Sequence, residues 1–186
     1  MTNIHEKPKL EFPHSLCQFG IARRDITPPV GIYHRMWGAA KHDQSEGVHR
    51  PLIATAVVFA PHSVNDGLTQ QTTEHTQVLI ALDHCLLYQT EMKRLIEHVT
   101  NHGFHADQIT FTFSHTHSAG LMDPRRREMP GGEMIEGYLE QLALQIGEAV
   151  AEALGKTRAA MIQYATGRCN LAANRDFWDE ENQAYV

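Results

Sequence analysis

Gln77-Val78-Leu79-Ile80-Ala81-Leu82-Asp83 is a nearly continuous apolar run closed by a carboxylate. A run this short and apolar predicts a central strand buried on both faces, as in sheets covered by helices on either side. Downstream, residues 90–102 place Met92, Leu95, Ile96 and Val99 at i, i+3, i+4 and i+7, which predicts an amphipathic helix that Gly103 can end. Residues 108–114 form the next strand. Residues 134–154 predict a long helix with Ile135, Tyr138, Leu142, Ile146, Val150 and Leu154 inward, followed by a strand over 159–165. Strand–helix–strand thus occurs twice, and such crossovers are right-handed and make parallel neighbours. Upstream, 16–24 and 52–60 read as further strands. The expected fold class is α/β: a mixed sheet with a parallel core and flanking helices.

Between the first two strands, Asp25-Ile26-Thr27-Pro28-Pro29 must stop the chain from remaining in a ladder, because proline removes donors and biases the preceding residue. Residues 30–50 then read as an irregular loop holding Tyr33, His34, Trp37, His42 and His49. Loops of that length inside a compact domain tend to be functional. Residues 61–76 read as an exposed hairpin loop, residues 1–15 as a flexible lead-in, and residues 169–186 as polar with no clear period.

Composition narrows the classes. At 186 residues one domain is the default, with 42% hydrophobic and 20% charged residues. The net charge of −6 and the lack of a basic stripe argue against nucleic acid. Arg125-Arg126-Arg127 reads as a solvated loop. Cys17, Cys85 and Cys169 are odd in number and form no CxxC pair, so neither a disulfide framework nor a thiolate zinc site is indicated. No signal peptide or membrane-spanning run is visible. A cytoplasmic address is the simplest expectation, with export possible if the start is mis-assigned.

The chemistry concentrates where the fourth strand ends, at Phe111-Thr112-Phe113-Ser114-His115-Thr116-His117-Ser118-Ala119-Gly120. A period of two puts Ile109, Phe111, Phe113, His115 and His117 on one face while the chain stays extended. Two imidazoles leaving a strand end are a plausible start of a zinc site. The alternative is a pair of loop histidines, one packed and one solvated; thirteen histidines in 186 residues make a His-x-His pair common by chance. Ligands bind beyond the C-terminal ends of parallel strands. If the strand ending at Asp83 is adjacent, Asp83 either orients a ring nitrogen or caps the following turn.

Other sets read less well. His98 and His102 lie at i, i+4 near a helix end with His105 beyond, where imidazoles suit the helix dipole. Ser118 lacks a GxSxG setting, and no GxGxxG or P-loop occurs.

In order, the chain shows Gly20-Ile21-Ala22, Asp25-Ile26-Thr27-Pro28-Pro29, Met36-Trp37-Gly38, Gly47-Val48-His49-Arg50-Pro51-Leu52, a strand closed by Asp83, Ser114-His115-Thr116-His117-Ser118-Ala119-Gly120, and Asn174-Arg175-Asp176. In this order the chain resembles the N-terminal part of the neutral/alkaline non-lysosomal ceramidase family, from about Phe19 to the last residue. The resemblance implies a zinc amidohydrolase that cuts the N-acyl bond of ceramide-like lipids or another linear amide. It implies that His115 is a zinc ligand and that His117 sits beside the metal, against the substrate or the developing oxyanion. It gives Arg175 a contact to the substrate-side oxygen and Gly38 a backbone approach to the ligand. His49 and Asp83 fall in family motifs as residues supporting the ligands or the fold.

Three features depart from the family. Its further zinc histidine, glutamate and tyrosine come later than Val186, so the resemblance implies a partial catalytic domain, residues 16–186, whose partner is the remaining C-terminal part of the same protein. Ala119-Gly120-Leu121-Met122-Asp123-Pro124 stands where studied ceramidases carry Gly-Pro-Gly-Gly, so the pocket rim differs. No export signal is visible, whereas many relatives are secreted. As an isolated chain it is expected to be nearly inactive. The rival expectations are a catalytically silent scaffold or binding module, and a different metallohydrolase, an esterase or amidase, using the same site.

Overall fold

The structure, a computed structural model, describes residues 13–36, 40–62, 73–172 and 177–185. Five strands form one sheet: β1 (His14–Asp25), β2 (Ile53–Pro61), β3 (Gln77–Leu82), β4 (Ile109–Phe113) and β5 (Arg158–Gln163), in the order β4-β3-β2-β1-β5. Two helices, α1 (Gln89–Thr100) and α2 (Ile135–Gly155), follow β3 and β4. The expected mixed α/β fold forms. β3 and β4 pair in parallel, with Leu82 opposite Phe113, while β1–β2 and β2–β3 are antiparallel.

The first crossover, β3-α1-β4, makes parallel neighbours as the sequence predicts. The second departs from the expectation, since β5 lies beside β1 at the far edge. The length of α2 permits this: 21 residues at 1.5 Å each reach about 31 Å, against about 19 Å for four strand spacings.

Side-chain alternation decides what is buried. Ala22, Ala54, Ala56, Val58, Val78, Ile80 and Leu82 form the inner face and join Leu95 and Val99 of α1 and Leu139, Leu142, Ile146 and Val150 of α2 in one cluster. The intervening Leu79 is half-buried, and Ala81 and Ile21 are exposed. The run at 77–83 is therefore buried on one face, not on both. Its outward Leu79 and Ala81 point away from the cluster both helices share. Gly20 is needed where β1 meets α2, because a Cβ there would stand 1.9 Å from the Ala153 carbonyl oxygen.

The segment after β1 is less irregular than its composition implies. The Ile26 amide donates to the Leu52 carbonyl at 2.8 Å, the Gly31 amide to the Ser45 carbonyl at 2.9 Å, and the Ser45 amide to the Ile32 carbonyl at 3.0 Å. Tyr33 and Gln44 form an isolated antiparallel bridge. Residues 63–72 of the expected β2–β3 loop lie outside the described residues.

The chain divides into two compact units, Leu16–Met161 and a second made of Met1–Ser15 with Ile162–Val186. In the second, the polar C-terminal stretch holds an antiparallel pair, β6 (Trp178–Asp179) and β7 (Ala184–Tyr185), whose turn is tied by Asp179 accepting from the amides of Glu181 and Asn182. The lead-in expected over 1–15 is described only from residue 13, where β1 begins at His14. No described helix is long and apolar enough to cross a membrane.

Candidate metal centre

The register of β3 and β4 brings two strand ends together. The Ser114 amide donates to the Leu82 carbonyl at 3.0 Å, so the residues after each strand emerge side by side. Extension stops at Phe113. His115 has φ 55°, a left-handed conformation that is uncommon outside glycine. The predicted period of two therefore does not carry through to the histidines. A 3-10 turn, His117–Ala119, follows, opened by Thr116 Oγ1 accepting from the Ser118 amide. The two imidazoles still converge, with ring centroids 5.4 Å apart at 62°.

The third member comes from the end of β3. His115 Nδ1–H donates to the Cys85 carbonyl at 3.2 Å, which leaves Nε2 with its lone pair. Cys85 Sγ lies 3.8 Å from Nδ1 and 3.9 Å from Nε2 of the same ring, facing the ring and not the Nε2 lone pair. One donor atom from each of Cys85, His115 and His117 lies within 4.8 Å of the others, with the thiol buried and both rings exposed. Tetrahedral zinc bonded to sulfur and imidazole nitrogen sets S···N at about 3.6 Å and N···N at about 3.4 Å. The two imidazoles are close enough to share such an ion, whereas the thiol would reach it only after a turn of the Cys85 or His115 side chain. The sequence offers no CxxC pair, and the one thiol near the two imidazoles, Cys85, comes from the end of the neighbouring strand.

His84, between Asp83 and Cys85, anchors this corner. It is fully buried, and its Nε2–H donates to the Tyr138 hydroxyl at 2.5 Å, which donates to the Ile26 carbonyl at 2.8 Å. That chain ties the ends of β1 and β3 to α2. Burial, opposed weakly by the charge of Asp83, lowers the His84 pKa to about 4, so the ring is neutral. Burial pushes the Cys85 thiol up and keeps it protonated when no cation is near. Asp83 Oδ2 accepts from the Ile53 amide at 3.0 Å, tying β3 to β2.

Across the sheet edge lies a cavity of about 790 Å³, walled by residues that include Thr27, His34, His49, Asp83, Thr116 and Ser118. Ser114, Thr116 and Ser118 of this segment line it. His34 Nε2–H donates to the Ser118 carbonyl at 2.8 Å and so pins the long loop onto the turn. Gly120, at φ 74°, lets the chain pass; a Cβ there would meet His34 Cα at 3.3 Å.

The segment after Gly120 is bound down. The buried Asp123 carboxylate accepts from the amide, Nε and Nη2 of Arg125, whose guanidinium lies 5.1 Å from the Tyr88 ring centroid. Arg125 holds the Asp123 carboxyl below the usual range. Arg126 donates to the Arg35 carbonyl at 2.7 Å. Two of the three arginines of this loop therefore make bonds that hold it in place, while the Arg125 and Arg127 side chains stay exposed.

Among the other sequence candidates, His98 and His102 pack against Gly147 of α2, and His105 caps a 3-10 turn with Gln108. The described residues contain one histidine, cysteine and carboxylate group compact enough for a metal, Cys85 with His115 and His117. Gly38 and Arg175 lie outside the described residues.

No protein-family model matches the sequence, and no curated protein does. Solved structures do share the fold. A neutral ceramidase from Pseudomonas aeruginosa superposes with a TM-score of 0.55 at 14% identity, over 80% of this chain and 22% of that one. A ceramidase complexed with C2 gives 0.56, again at 14% identity with 80% and 22% covered. This chain thus has a ceramidase-like fold and spans about a fifth of the length of those proteins.

Proposed function

We propose that this chain carries the metal-bearing sheet edge of a zinc-dependent hydrolase that cleaves an N-acyl amide bond of a ceramide-like or other linear amide. The observation that carries the reading is the convergence of His115 and His117 at the adjoining ends of β3 and β4, on a fold shared with ceramidases. His115 holds the ion, and His117, whose ring lies beside it, faces the substrate or the developing oxyanion, as the resemblance implies. Zinc in such a site polarises the amide carbonyl and brings the pKa of a bound water to about 7. The chain's own residues orient it. The Cys85 carbonyl fixes the tautomer of His115, and the His84–Tyr138–Ile26 chain holds the backbone from which that carbonyl projects. Following the resemblance, Arg175 and the backbone at Gly38 take the substrate-side oxygen; a donor aimed at developing negative charge is commonly worth roughly 3 kcal/mol of barrier.

The test is a substrate panel, run on the full natural polypeptide. N-acyl amino alcohols of several chain lengths are compared with matched esters and peptides. Faster turnover of the N-acyl amides, lost in His115→Ala together with bound zinc, supports the reading. Preference for esters or peptides transfers the site to another metallohydrolase class, and zinc-independent ligand binding without turnover marks a silent scaffold.

A further inference from the structure

We infer that the outer edge of β4 receives a further parallel strand, supplied by polypeptide downstream of Val186, and that this strand ends beside His115. The inference rests on the metal reading above and adds the place where the ion's remaining donors enter.

β4 is an edge of its sheet, with β3 on one side and no described strand on the other. The Ser114 amide donates to the Leu82 carbonyl, so by the alternation of a parallel ladder Thr110 and Thr112 also turn their amides toward β3. The main-chain groups of Phe111 and Phe113 therefore point outward. Edge strands that must stay unpaired carry a proline, a lysine, an inward charge or a bulge. Ile109-Thr110-Phe111-Thr112-Phe113 has none of these, and at five residues it is of ordinary strand length. The side chains agree. Phe111 and Phe113 stand opposite Ile80 and Leu82 on the helix-covered face, yet they stay half-buried where Ile80 and Leu82 are 1% exposed. A strand alongside would cover their open flank.

The metal site selects the occupant. A catalytic zinc takes three protein donors, and among the described residues no carboxylate or further histidine groups with His115 and His117. The β3 side of the strand end is taken by Asp83, His84 and Cys85. A strand parallel to β4, about 4.8 Å beyond it, brings its own C-terminal end and the residues that follow to the open side of His115. A second copy paired β4 to β4 about a two-fold axis would run antiparallel and carry its own His115 to the far end.

Hydrogen–deuterium exchange at single-amide resolution, on the full natural polypeptide, tests this. Thr110 and Thr112, bonded to β3, are the internal reference. The Phe111 and Phe113 amides should exchange within about tenfold of them, because amides released by one opening event exchange together. A bare edge leaves Phe111 and Phe113 faster by about 100-fold or more, and that alternation overturns the inference. Light scattering across a dilution series separates the occupants. Protection in the monomer supports a strand of the same polypeptide; protection found only in a dimer assigns the edge to a second copy and overturns it. Phe111→Pro removes an outward donor that a bare edge does not use. Compared with Phe111→Ala, it should speed exchange by about tenfold or more in a segment downstream of Val186, and no response there overturns the inference. The wild-type pattern decides even if Phe111→Pro folds poorly. Zinc content reports on the metal reading separately: alternating exchange with zinc bound overturns the strand alone, and uniform protection without zinc keeps the strand and overturns the metal reading.

Discussion

Replacing Tyr138 with Phe removes one oxygen from the link between the sheet edge and α2. The ring still fills its space, so the cost is polar. His84 Nε2–H loses its acceptor and the Ile26 carbonyl loses its donor, both in the interior. A buried polar group left without a partner costs about 1–3 kcal/mol, so the two together cost roughly 2–6 kcal/mol. With a urea slope of about 2 kcal/mol/M, the midpoint should fall by about 1–3 M. Far-ultraviolet circular dichroism in urea reads this directly. In a His84→Ala background the same substitution strands only the Ile26 carbonyl, so its cost should drop by about half, a coupling visible in a double-mutant cycle. A midpoint shift under about 0.3 M, or equal costs in both backgrounds, would refute the reasoning, since it would mean that water replaces the hydroxyl without penalty.

Three further outcomes are expected. Gly20→Ala drives a methyl into the Ala153 carbonyl, 1.9 Å away, so β1 and α2 must separate; a loss of about 1–3 kcal/mol or more should appear in thermal or urea unfolding, against little effect at Gly137, where a Cβ meets nothing. Arg125 lowers the Asp123 pKa in the folded chain, so the unfolded chain binds the proton first on acidification. The resulting stabilisation is present above the ordinary value of 3.8 and is lost as pH falls through the lower folded value, so Asp123→Asn should be less stable at pH 7 yet show a shallower acid limb in pH-dependent unfolding. His115→Gly should relax the φ 55° backbone while removing the donor; unfolding should show stability kept or raised while zinc retention after dialysis is lost.

The sequence was most informative where a local pattern and its burial are the same fact. The i, i+3, i+4, i+7 spacing found α1, with Leu95 and Val99 fully buried. The inward residues of α2 were legible in the same way, as was the adjacency of the strands ending at Asp83 and Ser114, because a β-α-β crossover of ordinary length leaves few alternatives. Burial of β3 on both faces was over-read, since apolar composition alone does not say how many faces a helix covers.

Sequence by itself determined that two histidines stand at the end of an apolar strand, and that this strand follows a crossover from another closed by Asp83. Tertiary structure decided what they meet. Cys85 carries no spacing signal, because its partners lie thirty and thirty-two positions away and are brought near by parallel pairing of β3 with β4. The place of β5 was likewise open, because a helix of about 31 Å can deliver the chain to either edge of the sheet. Chain-local periodicity fixes which face a residue shows to its own element; only the pairing of distant segments fixes which donor atoms share one point in space.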